Sequence, residues 1–151
     1  MIDSDFIKNS KLSIQNVSRE TLDELNKYSL SIIKKNRDIN LISSSTEKSI
    51  NIRHIEDSAQ TLDFIDKNNT KVCTDLGSGA GLPGIVLAIM MKPKKPQFKV
   101  IFYEKSYHKS NFLKEILKET SKKWKFDYEE KKSLTNNDSL IVKVSNLKKN
   151  G

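Results

Sequence analysis

Four of the five glycines in this 151-residue chain fall within the twelve positions from Thr74 to Ile85, TDLGSGAGLPGI. An ordinary turn needs one residue able to adopt φ > 0, or two at most. Four in one stretch imply a backbone bent sharply and approached closely by a ligand. The flanking residues say where the bend sits. KVCTDL, Lys71 to Leu76, is short and β-branched at Val72 and Thr74 and reads as a buried strand. Pro83 suits the first turn of a helix, where its missing N–H is no loss, and GIVLAIMM continues that helix with an apolar character suited to packing on a sheet. Pro93 and Pro96 end the helix in a basic turn, and FKVIFYE, Phe98 to Glu104, reads as a second strand. Strand, glycine loop, helix, strand is a right-handed βαβ unit.

Upstream, VSRETLDELNKYSLSIIKKN places Leu22, Leu25, Tyr28 and Ile32 at helical spacing behind Ser18 as N-cap. A serine-rich turn at Ser43 to Ser45 leads into a second helical stretch with Ile52, Ile55, Ala59, Leu62 and Ile65 as its apolar stripe. The expected organisation is a small N-terminal helical cap, residues 1–68, on an α/β core, residues 69–151. No apolar run reaches the roughly 18 to 20 residues of a membrane span, and the N-terminus lacks a signal-peptide pattern, so a cytoplasmic protein with no membrane partner is expected. Cys73 is the only cysteine, which leaves no intrachain disulfide, no cysteine-based zinc site and no other metal cluster to expect; a buried thiol is the expectation.

The net charge of +8 is unevenly placed. Residues 1–91 carry 11 basic against 12 acidic residues, whereas residues 92–151 carry 16 lysines against 7 acids. A basic half steers polyanions, so RNA is a reasonable partner, and a lysine-rich solvated surface is the plainer reading.

Which ligand does the loop hold? A phosphate-cradling P-loop needs Lys and Ser/Thr after its last glycine, and here Gly84 is followed by Ile85 and Val86. The dinucleotide pattern G-x-G-x-x-G fits Gly79, Gly81 and Gly84, with Glu104 20 residues beyond. A tighter description is D-x-G-x-G-x-G, Asp75 to Gly81, with an acid ending the second strand. This is similar to the S-adenosylmethionine loop of Rossmann-type methyltransferases, in which an acid at Glu104's position accepts hydrogen bonds from both ribose hydroxyls.

Four segments together carry a narrower likeness: INLIS at Ile39 to Ser43, RHIEDS at Arg53 to Ser58, DLGSGAGLPGIVLAI at Asp75 to Ile89, and EKSYHKSNFLKEI at Glu104 to Ile116. They resemble the bacterial small-subunit ribosomal RNA methyltransferase G family, also called glucose-inhibited division protein B. The resemblance implies a Rossmann-like S-adenosylmethionine-dependent methyltransferase fold. It also implies methyl transfer to N7 of a guanine in 16S rRNA, the small ribosomal subunit being the partner. It assigns cofactor contacts to Asp75, Gly77, Gly79, Gly81, Leu82 and Glu104, and names no catalytic acid or base. Lys109 and Phe112 match the family's K-x-x-F-L pattern. His54, with Asp57 and Ser58 on the same helical face, either meets RNA or braces the cap against the glycine loop.

The chain departs from the family in its middle. After SNFLKEI the sequence passes to LKETSKKWKFDYEEKKSLTNNDSLIVKVSNLKK, which resembles the family's last helix and final antiparallel hairpin, turning at Asn136, Asn137 and Asp138. The third to fifth strands are absent, and two helices join in phase near Ile116 and Leu117. The expected sheet is therefore shortened. Three functional classes follow: a working methyltransferase, which a homodimer supplying the missing wall would complete; an inactive abridged relative that binds RNA or a protein through its basic half; and a nicotinamide-dependent oxidoreductase, weakened by the lack of a substrate domain.

Overall fold

The computed structural model describes residues 16–124, 126–132 and 140–146. Helix α1, Arg19–Asn36, begins where Ser18, in extended backbone, accepts a hydrogen bond on Oγ from the Thr21 N–H at 3.2 Å. Glu20 in its first turn and Lys34 and Lys35 in its last complement the helix dipole. Leu25, Tyr28 and Ile32 form its buried stripe.

Residues 44–64 are helical but irregular: a 3-10 turn over Ser44–Ser49, a π-helical turn over Asn51–Glu56, α-helix over Asp57–Gln60 and a 3-10 turn over Thr61–Phe64. The expected stripe is broken accordingly. Ile55, Ala59 and Leu62 are buried and Ile65 packs partly, but Ile52 is 55% exposed. The wider π-helical spacing turns Ile52 away from the face that an unbroken α-helix would have given it.

The βαβ unit follows as expected. Strand β1, Val72–Leu76, helix α2, Gly84–Met91, and strand β2, Lys99–Glu104, make a parallel pair in register from Val72 opposite Lys99 to Leu76 opposite Tyr103. Every residue of α2 is buried, in keeping with its lack of any polar side chain. Lys95, in the basic turn after α2, donates from Nζ to the carbonyls of Lys67, Asn68 and Thr70, tying that turn to the approach of β1.

Helix α3, Tyr107–Trp124, runs unbroken through Ile116 and Leu117, so the join is smooth. Strands β3, Phe126–Lys132, and β4, Leu140–Asn146, pair antiparallel as the expected hairpin; its turn at Asn136 to Asp138 lies outside the described residues. The hairpin joins the sheet at β2, with β4 antiparallel to it from Val100 opposite Val144 to Glu104 opposite Leu140. The order is β1-β2-β4-β3. This is a short α/β sheet with one parallel pair, as a shortened Rossmann-like methyltransferase fold requires.

One hydrophobic cluster draws on Leu25, Ile32, Ile55, Ile89, Phe102 and Leu113, from both segments of the chain. Cys73 corrects the reading of a buried thiol: it is half-buried, on a strand that has no neighbour on its outer side among the described residues. Burial and then nearby Asp75 push its thiol pKa up.

Candidate functional site

At the C-terminal end of β1 the chain leaves the sheet through Gly77, Gly79 and Gly81, with φ of 70°, 55° and 91°. A β-carbon resists this region of backbone space. The N–H groups of Gly77 and Ser78 both donate to the Tyr103 carbonyl, at 2.9 and 3.1 Å, anchoring the bend to the end of β2. Buried Ser78 returns its hydroxyl to the Asp75 carbonyl at 3.0 Å. The Gly81 N–H donates to the Ser78 carbonyl, and the Ile85 N–H to the Gly81 carbonyl, each at 2.7 Å, carrying the chain into α2.

Two carboxyl groups hold this loop from opposite ends. Asp75 Oδ2 accepts from the Gly84 N–H at 3.0 Å, binding the end of β1 to the start of α2. Burial raises the Asp75 pKa; the bond from Gly84 opposes the rise, and the nearby charge of Glu104 adds to it. Glu104, also buried, accepts from the Gly79 N–H on Oε2 at 2.6 Å and from the Ser106 N–H on Oε1 at 2.8 Å. Its backbone carbonyl receives the Ser110 hydroxyl at 3.2 Å. Glu104 thus couples the glycine loop to the start of α3, and each carboxyl oxygen keeps acceptor capacity beyond the one bond described.

The four glycines divide by what surrounds them. A Cβ built at Gly77 meets nothing within 4 Å, and one at Gly79 meets only the Gly77 carbonyl oxygen at 3.9 Å. At Gly81 it would strike Ile85 and Leu113, and at Gly84 the Phe102 ring and Asp75 Oδ2. The first two present open backbone beside Glu104, as a cradle for a ligand requires; the second two let α2 pack closely. Leu82 lies half-buried against the core. The structure therefore brings Asp75, Gly77, Gly79, Gly81 and Glu104 together at the carboxyl ends of two parallel strands, where α/β sheets bind ligands. A recess of about 240 Å³ between α1 and α3, bordered by Lys34, Lys35, Phe112 and Glu115, shares no residue with this loop.

Sequence reasoning passed over Tyr28, treating it as one more apolar stripe residue. Its hydroxyl donates to the Ala80 carbonyl at 2.6 Å, so α1 clamps the glycine loop directly. Burial, and then Asp75, raise the Tyr28 pKa well above its ordinary value, which keeps the hydroxyl a donor. The signal was available: a tyrosine on a core-facing stripe needs a partner for its hydroxyl. Tyr28→Phe leaves the buried Ala80 carbonyl without this donor and is expected to cost about 1–3 kcal/mol, measurable as a lower urea midpoint with unchanged slope. Among the described residues His54 makes no bond to the glycine loop; its Nε2 bonds the Thr46 hydroxyl at 2.8 Å, bracing the serine-rich turn. Burial lowers its pKa, with Asp57 opposing.

Comparison with known proteins meets the same residues. A family model described as rRNA small subunit methyltransferase G matches residues 21–141. A protein of Pelagibacter ubique (strain HTCC1062) named ribosomal RNA small subunit methyltransferase G is 33% identical over 202 aligned positions, covering 91% of this chain and 94% of that protein. Proteins of the same name from Cereibacter sphaeroides (strain ATCC 17025 / ATH 2.4.3) and Jannaschia sp. (strain CCS1) are 48% and 42% identical, over 66% and 68% of this chain. The chain spans about half the length of these two relatives, 47% and 48%.

The Pelagibacter alignment is longer than the chain itself. Since 91% of 151 residues is about 137, about 65 of the 202 aligned positions hold a residue of the relative and none of this chain. A stretch of missing sequence is what the two joined helices led us to expect. With the glycine loop, Glu104 and α3 all inside the matched region, the chain belongs to the rRNA small subunit methyltransferase G family.

Proposed function

We propose that this chain binds S-adenosylmethionine at the glycine loop and transfers its methyl group to N7 of a guanine in small-subunit rRNA. The observation that carries the proposal is the open backbone of Gly77 and Gly79, at the end of β1, beside the buried Glu104 at the end of β2. An elongated ligand can lie against these two glycines because no side chain stands in its way. Glu104 is placed to accept from ribose hydroxyls with the oxygen lone pairs left over from its bonds to Gly79 and Ser106. Asp75, Gly81 and Leu82 serve the same site by holding the loop's shape.

S-Adenosylmethionine supplies an electrophilic methyl group on a sulfonium. Guanine N7 carries an in-plane lone pair that could accept this methyl group directly. No proton has to be removed before attack. The chain's task is alignment of nucleophile, methyl carbon and leaving sulfur, which can supply much of the rate without an acid/base pair. This accords with a site whose two carboxyl groups are engaged by backbone N–H groups.

The excess of lysine over acid in residues 92–151 suits rRNA as the substrate, since phosphate contacts dominate such affinity. In this reading residues 1–68 form a helical cap that sets the loop through Tyr28, and residues 69–151 form the core that binds. A cytoplasmic location goes with a ribosomal substrate; among the described residues no helix is long and apolar enough to cross a membrane. The reading as an inactive abridged relative is not favoured, because the matched family and the relatives above bear the methyltransferase name.

Calorimetric titration of the purified chain with S-adenosylmethionine tests the proposal. A dissociation constant in the micromolar range is expected, about −8 kcal/mol, followed by label transfer to isolated small ribosomal subunits. A folded chain that takes up no cofactor at millimolar concentration would sink it.

A further inference from the structure

Among the described residues strand β1 is an edge strand with nothing paired to its outer side. The Lys99 N–H donates to the Lys71 carbonyl and the Gly77 N–H to the Tyr103 carbonyl, at 3.0 and 2.9 Å. With the parallel register between them, residues 71, 73, 75 and 77 turn their backbone groups toward β2, and Val72, Thr74 and Leu76 turn theirs outward. Among the described residues nothing bonds these outward groups. Their side chains share the sheet face opposite the one on which Asp75, Val100, Phe102 and Glu104 are buried. Val72 is 46% exposed, Leu76 is 77% exposed, and Thr74 is exposed between them. Natural edge strands carry an inward charge, an outward lysine, a proline or a bulge to repel another strand. β1 carries the inward carboxyl of Asp75, buried on the other face, but its outward residues Val72, Thr74 and Leu76 carry no charge and no proline.

We propose that β1 pairs with β1 of a second copy of this chain, antiparallel about a two-fold axis through Thr74, joining the two sheets into one. The sequence is self-complementary in that register. Thr74 faces Thr74, and Val72 faces Leu76 on either side. All three are positions with outward N–H and C=O groups, so each donates and accepts across the axis and the open row is closed on both copies. Apolar opposes apolar, hydroxyl opposes hydroxyl, and no charge meets a like charge, as an interface between identical patches requires. Continued past the strand, the same register puts Lys71 of the second copy opposite Gly77, the glycine with nothing within 4 Å of its missing Cβ. On the cofactor reading above, the second copy then borders the open side of the cradle; the pairing itself does not depend on that reading. Five paired residues are a small interface, so association in the micromolar range is expected.

Sedimentation velocity of the full chain over about 1 to 100 µM tests the pairing without reference to cofactor. The mass should rise from 17.3 kDa toward twice that value. Thr74→Pro should hold the chain at the monomer mass at every concentration. Its lost N–H faces away from β2, so the ladder to β2 survives and the circular dichroism spectrum should be unchanged. Val72→Lys, a charge at a position where edge strands tolerate one, should do the same and serves if the proline variant does not fold. A wild-type chain that stays monomeric at the highest concentration overturns the pairing. A dimer that survives Val72→Lys in a folded protein overturns it equally.

Discussion

Gly77→Val is expected to fold and to lose S-adenosylmethionine. The backbone at Gly77 has φ of 70° and a Cβ there meets nothing within 4 Å. The valine's Cβ would meet no collision, and the cost to stability is that of a left-handed L-residue, about 1–2 kcal/mol. All of its volume would project into the space against which the cofactor is proposed to lie. Calorimetry should show affinity reduced about a hundredfold or more, which corresponds to at least roughly 2.7 kcal/mol. Unaltered cofactor binding by a folded Gly77→Val chain would mean that the ligand, if any, lies elsewhere. The prediction is sharp because the substitution separates binding from folding.

Gly81→Val, four residues on, should do the reverse. Its φ of 91° is as unfavourable for valine, and the new Cβ would approach Ile85 Cδ1 to 2.5 Å, Ile85 Cγ1 to 2.8 Å and Leu113 Cδ2 to 3.0 Å. Ile85 must leave its place and Leu113 must yield, which adds an overpacking cost of about 1–3 kcal/mol to about 1–2 kcal/mol of backbone strain. Against a total of about 5–15 kcal/mol for a domain this is a large fraction. Thermal unfolding should shift down by about 10 °C, and any loss of cofactor should track the unfolded fraction. A Gly81→Val protein as stable as wild type, yet unable to bind, would show that Gly81 serves the ligand and not the packing of α2.

These two outcomes mark where sequence was informative and where it was not. The pattern Asp75 to Gly81 located the loop, and Pro83 with GIVLAIMM located α2, because those features depend on local backbone needs and on a continuous apolar run. The division of labour among the glycines was not legible, since it depends on which atoms of Ile85, Leu113 and Phe102 arrive from elsewhere in the chain. Glu104 was picked out by its position at the end of a strand. Its bonds to the N–H groups of Gly79 and Ser106 follow from the loop's curvature and could not be read from spacing. Ile52 was misplaced for a related reason: a π-helical turn leaves no mark on an i, i+3, i+4 pattern until three-dimensional packing selects it. The hairpin was visible in its alternation, but its attachment to β2 was not, because strand order is a long-range choice.

The glycine loop draws its partners from both directions along the chain. Tyr28 reaches it across a sequence separation of 52 residues, and Glu104 across 25. Synthesis proceeds from the N-terminus, so α1 exists before the loop does, and the loop exists before β2 brings the Tyr103 carbonyl and the Glu104 carboxyl to hold it. Each long-range closure carries an entropic cost that only finished packing offsets. The cradle thus cannot become fixed until β2 has emerged, and a nascent chain short of Glu104 lacks a shaped site for a small metabolite. Ligand capture by this loop would report that translation has passed β2 and that the N-terminal helix has docked.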